Sequence, residues 1–490
     1  MPPSPSLTTR KSSSRLASLA WFAFKLGFGL FSLAFTWVTV AWKNGIFQPK
    51  DTDEEKKELE AGMLVIYETQ QRYWSIDREP LPGFRHAFFT TSSGLKIHYV
   101  VNANPEAPPA RNVAIFLHGF PDSFLLWRHI LQAPVLQQSH TLIAVDLPGY
   151  GGSDGLPNYG PYEILEAMSE FIIGVRKQFL QEDRKCVVVS HDWGSLICAR
   201  LASEASELAD HWIITSGIIP HATASNAFAQ WTLARQMLRT WTSHPLNTAL
   251  LKNALRALKP VLSQFSRSFY IFCFHLPAPL DSFFTSFGNY WFLRVMHSLG
   301  IGHHEQGDDL LTRLDAKAAA EAMCMSTGPA LPQLVDQPVR GTQGRYGESV
   351  RRRVKDRGMS EKIRIYREGL FVGRWEKSLE TTAALFELRS GNERTSGSAP
   401  RGALKAPATL VLGERDPAFD LRLALDNVKD YLVKGSQVLI VKDAGHWMPT
   451  EPTARVVLEQ LVLWALSEKA GAGKATPFAG ILNVKVVEEL

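Results

Sequence analysis

Cys186-Val187-Val188-Val189-Ser190-His191-Asp192-Trp193-Gly194-Ser195-Leu196 is the stretch on which the fold turns. A short unbroken apolar run that ends in a turn reads as a strand buried on both faces, as a parallel sheet requires. Small residues then crowd one acid, Asp192, and a helix begins at once. A strand–turn–helix corner of this kind pushes its central side chain out at the carboxyl edge of the sheet. Asp192 is there either a nucleophile or the N-cap of the helix, a position that Asp also favours.

Outward from this corner the same grammar repeats. Short β-branched runs at 113–117, 141–145, 187–189, 212–215, 409–412 and 436–441 are separated by helical stretches, the pattern of parallel strands with crossover helices. Between the fourth and fifth strands lies an interval too long for a loop, and residues 226–300 within it carry Trp, Phe, Leu and Met at helical spacing. The expected organisation is an α/β core over 84–218 and 386–469, with a helical lid over 219–385. Residues 51–83 are expected to connect, 328–358 to form a basic loop, and 470–490 to form a C-terminal tail. The glycine-rich turn at 145–154 lacks the spacing and lysine of a phosphate cradle, which argues against a nucleotide site.

Two further segments decide between the readings of Asp192. Leu410-Val-Leu-Gly-Glu-Arg-Asp416 ends a strand with an acid, and Asp443-Ala-Gly-His446-Trp447 puts a histidine in the loop after the next strand. The chain order nucleophile, acid, histidine, each at the carboxyl end of a strand, makes a catalytic set. Upstream, His118-Gly-Phe120-Pro-Asp122 follows a strand in a tight turn, where the amide of Phe120 can join that of Trp193 in holding an oxyanion. A carboxylate in place of a serine hydroxyl changes the reaction: it displaces at carbon and forms an alkyl ester that must then be hydrolysed.

His118-Gly-Phe-Pro-Asp-Ser123, Asp146-Leu-Pro-Gly-Tyr-Gly, Ser190-His-Asp-Trp-Gly194 and Gly445-His-Trp447 together resemble the epoxide hydrolase branch of the α/β-hydrolase superfamily over about 84–466, and within it the membrane-anchored members. The resemblance implies an α/β-hydrolase fold with a lid, hydrolysis of an ether-type ring and no cofactor or metal. It also implies two lid tyrosines that hold the epoxide oxygen. Tyr270, five residues before His275, matches the first lid motif, and Tyr366 in Ile365-Tyr-Arg367 the second; Tyr290 and Tyr346 are rivals. A phenol suits the task because it donates a proton without being ionised at neutral pH. His275 departs from the family's more usual Gln. Haloalkane dehalogenases share the Asp and the Trp after it, but need a halide donor where Phe120 stands. A membrane-tethered binding protein without catalysis is the other alternative, and its signature, a broken nucleophile, acid or histidine, is not present.

Apolar residues at 45% and charged residues at 21% are those of a globular chain. The net charge of +5 is set by six basic residues that precede the first acid, so 51–490 is close to neutral and has no stripe for nucleic acid. Residues 16–42 are apolar apart from Lys25, long enough for one membrane span within an anchor region 1–50; a cleaved signal peptide is the alternative, though the stretch is long for one and no small-x-small cleavage site follows it. Arg10, Lys11 and Arg15 before the span outnumber Lys43 and Lys50 after it, which places the N-terminus in the cytoplasm and the body in the lumen, the endoplasmic reticulum being the expected membrane. The absence of any Asn-x-Ser/Thr gives that placement no support. Four cysteines without paired spacing read as buried thiols. The expected partners are a hydrophobic small-molecule epoxide and membrane lipid; the sequence says nothing of oligomeric state.

Overall fold

The computed structural model describes residues 8–43, 52–103, 111–181, 183–300, 316–335, 344–388, 400–467, 478, 481 and 483–489. Nine strands form one sheet: β1 (Arg85–Thr90), β2 (Lys96–Val101), β3 (Val113–Leu117), β4 (Thr141–Val145), β5 (Cys186–His191), β6 (His211–Thr215), β7 (Ala408–Gly413), β8 (Gln437–Val441) and β9 (Val484–Glu489). Their order is β1-β2-β4-β3-β5-β6-β7-β8-β9. All neighbouring pairs from β4 to β8 are parallel, while β1 and β2 join one edge and β9 the other in antiparallel fashion. This is the α/β-hydrolase architecture that the β5 corner predicts.

Every residue of β3, β4, β5, β6 and β7 is buried, because alternate side chains feed two separate cores. Val113, Ile115 and Leu117 point into one, with Ile164, Met168, Phe171 and Val175 of helix Pro161–Phe179. Ala114 and Phe116 point into the other, with Val457, Leu458 and Leu461 of helix Pro452–Leu466. Neither helix has an apolar face on its own terms only; each covers one side of the sheet, as βαβ crossovers demand.

The helices that matter to the site are α1 (Thr8–Lys43), α2 (Thr52–Trp74), α3 (Pro161–Phe179), α4 (Trp193–Glu204), α5 (Pro220–Ser243), α6 (Thr248–Arg267), α7 (Phe269–Phe274), α8 (Leu280–Gly300), α9 (Ala316–Thr327), α10 (Leu379–Glu387) and α11 (Pro452–Leu466). From α5 to α10 the described chain holds no strand. Within α1, Ser18–Trp42 is long and apolar enough to cross a membrane, and the helix packs on α7.

Several elements differ from expectation. The connector 51–83 contains the 23-residue α2, which ends in the buried Tyr73 and Trp74 and packs on α9. The stretch expected as a basic loop forms short helices at Leu331–Val335 and Glu348–Arg353; residues 336–343 of it lie outside the described residues. One of its cations is turned inward: the guanidinium of Arg353 donates to the carbonyls of Gly151 and Ser153 in the glycine-rich turn, while Arg345, Arg351 and Arg352 are exposed. Strands β1, β2 and β9 were not expected at all. The 470–490 tail contributes β9, while 468–477 lie outside the described residues.

Candidate active site

Asp192 sits between β5 and α4 with φ +51° and ψ −117°, a conformation costing on the order of 1–3 kcal/mol for a residue with a side chain. The surroundings enforce it. A Cβ on Gly119 would lie 2.4 Å from Asp192 Oδ1, and one on Gly194 would lie 2.4 Å from the His118 carbonyl, so two glycines let the β3 turn close over the corner. The Phe120 amide then donates to Asp192 Oδ1 at 2.8 Å, and the neighbouring Trp193 amide helps to hold the carboxyl below its ordinary value. Both amides expected at the oxyanion position therefore converge on Asp192.

The other carboxylate oxygen, Oδ2, faces His446 Nε2 at 3.6 Å. On its far side His446 Nδ1 lies 2.8 Å and 3.0 Å from the two oxygens of Asp416. The loop is pinned from behind: the His446 carbonyl accepts from Ser216 Oγ and from His191 Nε2, both at 2.7 Å, with His191 in the tautomer that bears its proton there. Burial opposes charge on His446, but Asp416 and Asp192 outweigh it and push the imidazole up to about 10. Burial likewise opposes charge on Asp192, and His446 outweighs it, so the carboxyl lies below its ordinary value. The resting pair is an imidazolium facing a carboxylate.

Across from Asp192, Tyr270 on α7 and Tyr366 at the end of the turn Ile363–Tyr366 stand with ring centroids 6.0 Å apart. Tyr366 is boxed by the rings of Trp193, Phe274 and Phe120 at 4.7, 5.0 and 5.2 Å. Burial raises both phenols above their ordinary value, and the Asp192 charge adds to it, so both keep their protons. The rivals stand elsewhere: Tyr346 donates to the Trp74 carbonyl beside His98, and Tyr290 lies under the Arg357 guanidinium. His275 bonds back to the Ile271 carbonyl of its own helix.

A cavity of about 310 Å³ joins these groups. Asp192, Tyr270, Tyr366 and His446 face it, and Phe269, Trp291, Phe292, Val295, Met296 and Trp447 supply an apolar wall. This is the size and character of a small-molecule pocket. Among the described residues no cluster suited to a metal occurs.

Asp122, quoted with the β3 turn but given no role from sequence, is buried beside the site. Its Oδ2 accepts from the Trp447 indole at 2.7 Å, while Oδ1 has no hydrogen-bond partner and lies 4.0 Å from His297 Nε2. Burial, partly offset by the Trp447 bond, pushes this carboxyl up to about 7. His297 comes from α8 in the lid, a juxtaposition that no local pattern announces.

The family model described as alpha/beta hydrolase fold matches residues 112–280. Epoxide hydrolase 2 of Caenorhabditis elegans is 30% identical over 149 residues, 30% of this chain and 38% of that protein. Epoxide hydrolase 3 of Mus musculus is 30% identical over 151 residues, 29% of this chain and 38% of that protein. The chain thus spans under two fifths of the length of these curated relatives. The solved Cif epoxide hydrolase from Acinetobacter nosocomialis is 15% identical with a TM-score of 0.46, covering 83% of this chain and 96% of that one. The protein has the α/β-hydrolase fold. Within that fold its similarity is to the epoxide hydrolases.

Proposed function

We propose that the protein hydrolyses lipophilic epoxides to vicinal diols, without a cofactor, through an ester on Asp192. The observation that carries this reading is a carboxylate held by two amides, with a His446–Asp416 pair on one side and two protonated tyrosines on the other, inside an apolar cavity. A charged imidazolium is no base at rest, so water is not activated prematurely. Oδ2 of Asp192, the oxygen not held by Phe120, attacks one oxirane carbon. The carbon–oxygen bond breaks, and the oxygen takes a proton from the tyrosine pair.

Esterification removes the charge on Asp192, one of the two carboxylates that keep His446 protonated. The imidazolium, now the stronger acid, returns its proton to the phenolate and becomes a base at the step that needs one. It takes a proton from water as the oxygen adds to the Asp192 carbonyl carbon, and the Phe120 and Trp193 amides stabilise the oxyanion. Collapse expels the diol, whose leaving oxygen takes the proton from His446. The new carboxyl then protonates His446, restoring the resting pair.

Halide cleavage is less well served, because the Phe120 side chain offers only a ring to the cavity and the Trp193 ring packs edge-on against Tyr366. The apolar α1 supports attachment to a membrane, with the endoplasmic reticulum as the proposed residence, and attachment gives access to epoxides dissolved in lipid. The test is diol formation from a panel of lipophilic epoxides and haloalkanes, beside Asp192→Ala, with single turnover in 18O-labelled water. We expect diol, none from the variant, and label in the Asp192 carboxyl rather than in the first diol released. Halide release without diol, or first-turnover label in the diol, would reject the ester on the epoxide.

A further inference from the structure

Helix α1 carries its polarity the wrong way round for a helix of a water-soluble body. Along it Gly29, Ser32, Leu33, Thr36, Val40 and Ala41 are buried, a stripe at helical spacing made mostly of small and hydroxyl-bearing residues. Ser32 and Thr36 are 4% and 5% exposed, whereas Phe31 and Phe35 are each 65% exposed and Trp42 is 82% exposed. A core helix turns its large apolar side chains inward. Here Trp21, Phe31, Phe35, Trp37 and Trp42 face out, and an aromatic surface of this kind is not left to water.

The stripe is fitted to the lid. A Cβ on Gly29 would lie 2.6 Å from the Phe272 carbonyl, and the Cys273 thiol reaches the Gly29 carbonyl at 3.8 Å. The ring of Phe24 packs edge-on against Phe265 of α6 and Phe272 of α7, and Val40 reaches Gly288 of α8. From Lys25 to Ala41 the covered side runs for about 24 Å at 1.5 Å per residue. A helix that crossed a hydrocarbon core of about 30 Å could keep this packing only by drawing the lid in with it. Exposed Lys252, Arg256, Lys259 and Arg267 of α6 forbid that, since each would be stripped of water.

We infer, resting on the membrane attachment proposed above, that α1 does not cross the bilayer but lies along the lid in the plane of one leaflet, its aromatic face sunk among the lipid chains. The bilayer is the occupant of that face. Basic residues suited to lipid headgroups accompany the aromatic face: Arg10, Lys11 and Arg15 precede the apolar stretch in the sequence, and α6, whose Phe265 meets Phe24, exposes Lys252, Arg256 and Lys259. The patch continues onto α8 through the stacked rings of Phe283, Phe287 and Trp291, and Trp291 also lines the active-site cavity. The cavity therefore opens next to the lipid, and an epoxide can pass from leaflet to Asp192 without crossing water. The sequence expectation put the N-terminus and the body on opposite sides of the membrane; an in-plane helix puts them on the same side.

The four cysteines Cys186, Cys198, Cys273 and Cys324 are buried, so single reporters at Ser6→Cys and at the exposed Lys442→Cys can be read against a silent background. Sealed microsomes holding each full-length variant would be treated with a membrane-impermeant maleimide, before and after detergent. Both positions labelling alike before detergent, or both only after it, is the expected result. One labelling before and the other only after would establish a span and overturn the inference while leaving membrane attachment intact. Recovery of the protein in the supernatant of microsomes opened at neutral pH and about 0.15 M salt would overturn attachment itself, and a soluble dimer that ignores phosphatidylcholine–phosphatidylserine vesicles would assign the aromatic face to a second copy.

Discussion

The imidazole of His446 stands between two carboxylates, 2.8 Å from Asp416 and 3.6 Å from Asp192, and both favour its charged form. This has a measurable consequence for stability. The folded pKa of about 10 is above the ordinary 6.5, so the stabilisation is complete below pH 6.5 and is lost as pH rises from there through about 10. Other buried groups also titrate, among them Lys362, which burial lowers to about 7, and these are common to a variant. The Tm advantage of the wild type over His446→Ala should therefore shrink steadily between pH 7 and pH 10. A constant difference across that range would mean that the resting pair is not ionised as described. At this scale chain order points to Asp192, Asp416 and His446, and the family resemblance to Tyr270 and Tyr366; Asp192, His446 and the two tyrosines face one cavity, with Asp416 behind His446. Asp122 and His297 were not paired, because residues 175 positions apart meet only through the docking of α8 on the β3 turn.

Between elements, one carboxylate gathers several donors of the segment by which the chain leaves the lid. Glu166 on α3 accepts from the Trp375 indole, the Ser378 amide and the Ser378 hydroxyl, each at 2.9 Å, and from the Thr381 hydroxyl. Ser378 also caps α10. Glu166→Ala leaves these donors to find water in a half-buried seam, at a cost of about 2 kcal/mol. A thermal melt should show Tm lower by several degrees, with kcat and KM on a water-soluble epoxide unchanged because no group of the seam lines the cavity; altered KM would show that the seam sets the lid's position. Legibility at this scale followed burial. The five fully buried parallel strands announce themselves as apolar runs, since both of their faces meet a core. Strands β1 and β2 hide because His86 and His98 interrupt the pattern, and these are satisfied inside by a chain of bonds, His86 to His98 at 2.8 Å and His98 to Asp146 at 2.7 Å, that only the fold assembles. Helix α2 reads as a charged connector, and its purpose lies in the last turn, where Trp74 meets Phe124 across the second core.

For the whole molecule the open question is whether α1 is a leash or a part of the enzyme. A leash would leave catalysis on dissolved substrate untouched when disturbed. The packing argues otherwise, because α1 lies on α7, the six-residue helix that carries Tyr270, and the two approach so closely at Gly29 that no side chain fits between them. Gly29→Leu must push the helices apart, and α7 is the lighter partner, held by Phe272, Cys273 and Phe274 on one side and the Tyr270–Tyr366 pair on the other. A shift of about 1 Å in a group that donates to a transition state is worth up to about 100-fold in rate. The expected result is a fall in kcat of at least several-fold on a water-soluble epoxide in detergent, with the protein still folded and still bound to vesicles through its unaltered aromatic face. Unchanged kcat would return α1 to the role of a tether. A loss confined to lipid-dissolved epoxides would instead separate delivery from catalysis, leaving α1 to set where the cavity opens but not how Tyr270 is aimed.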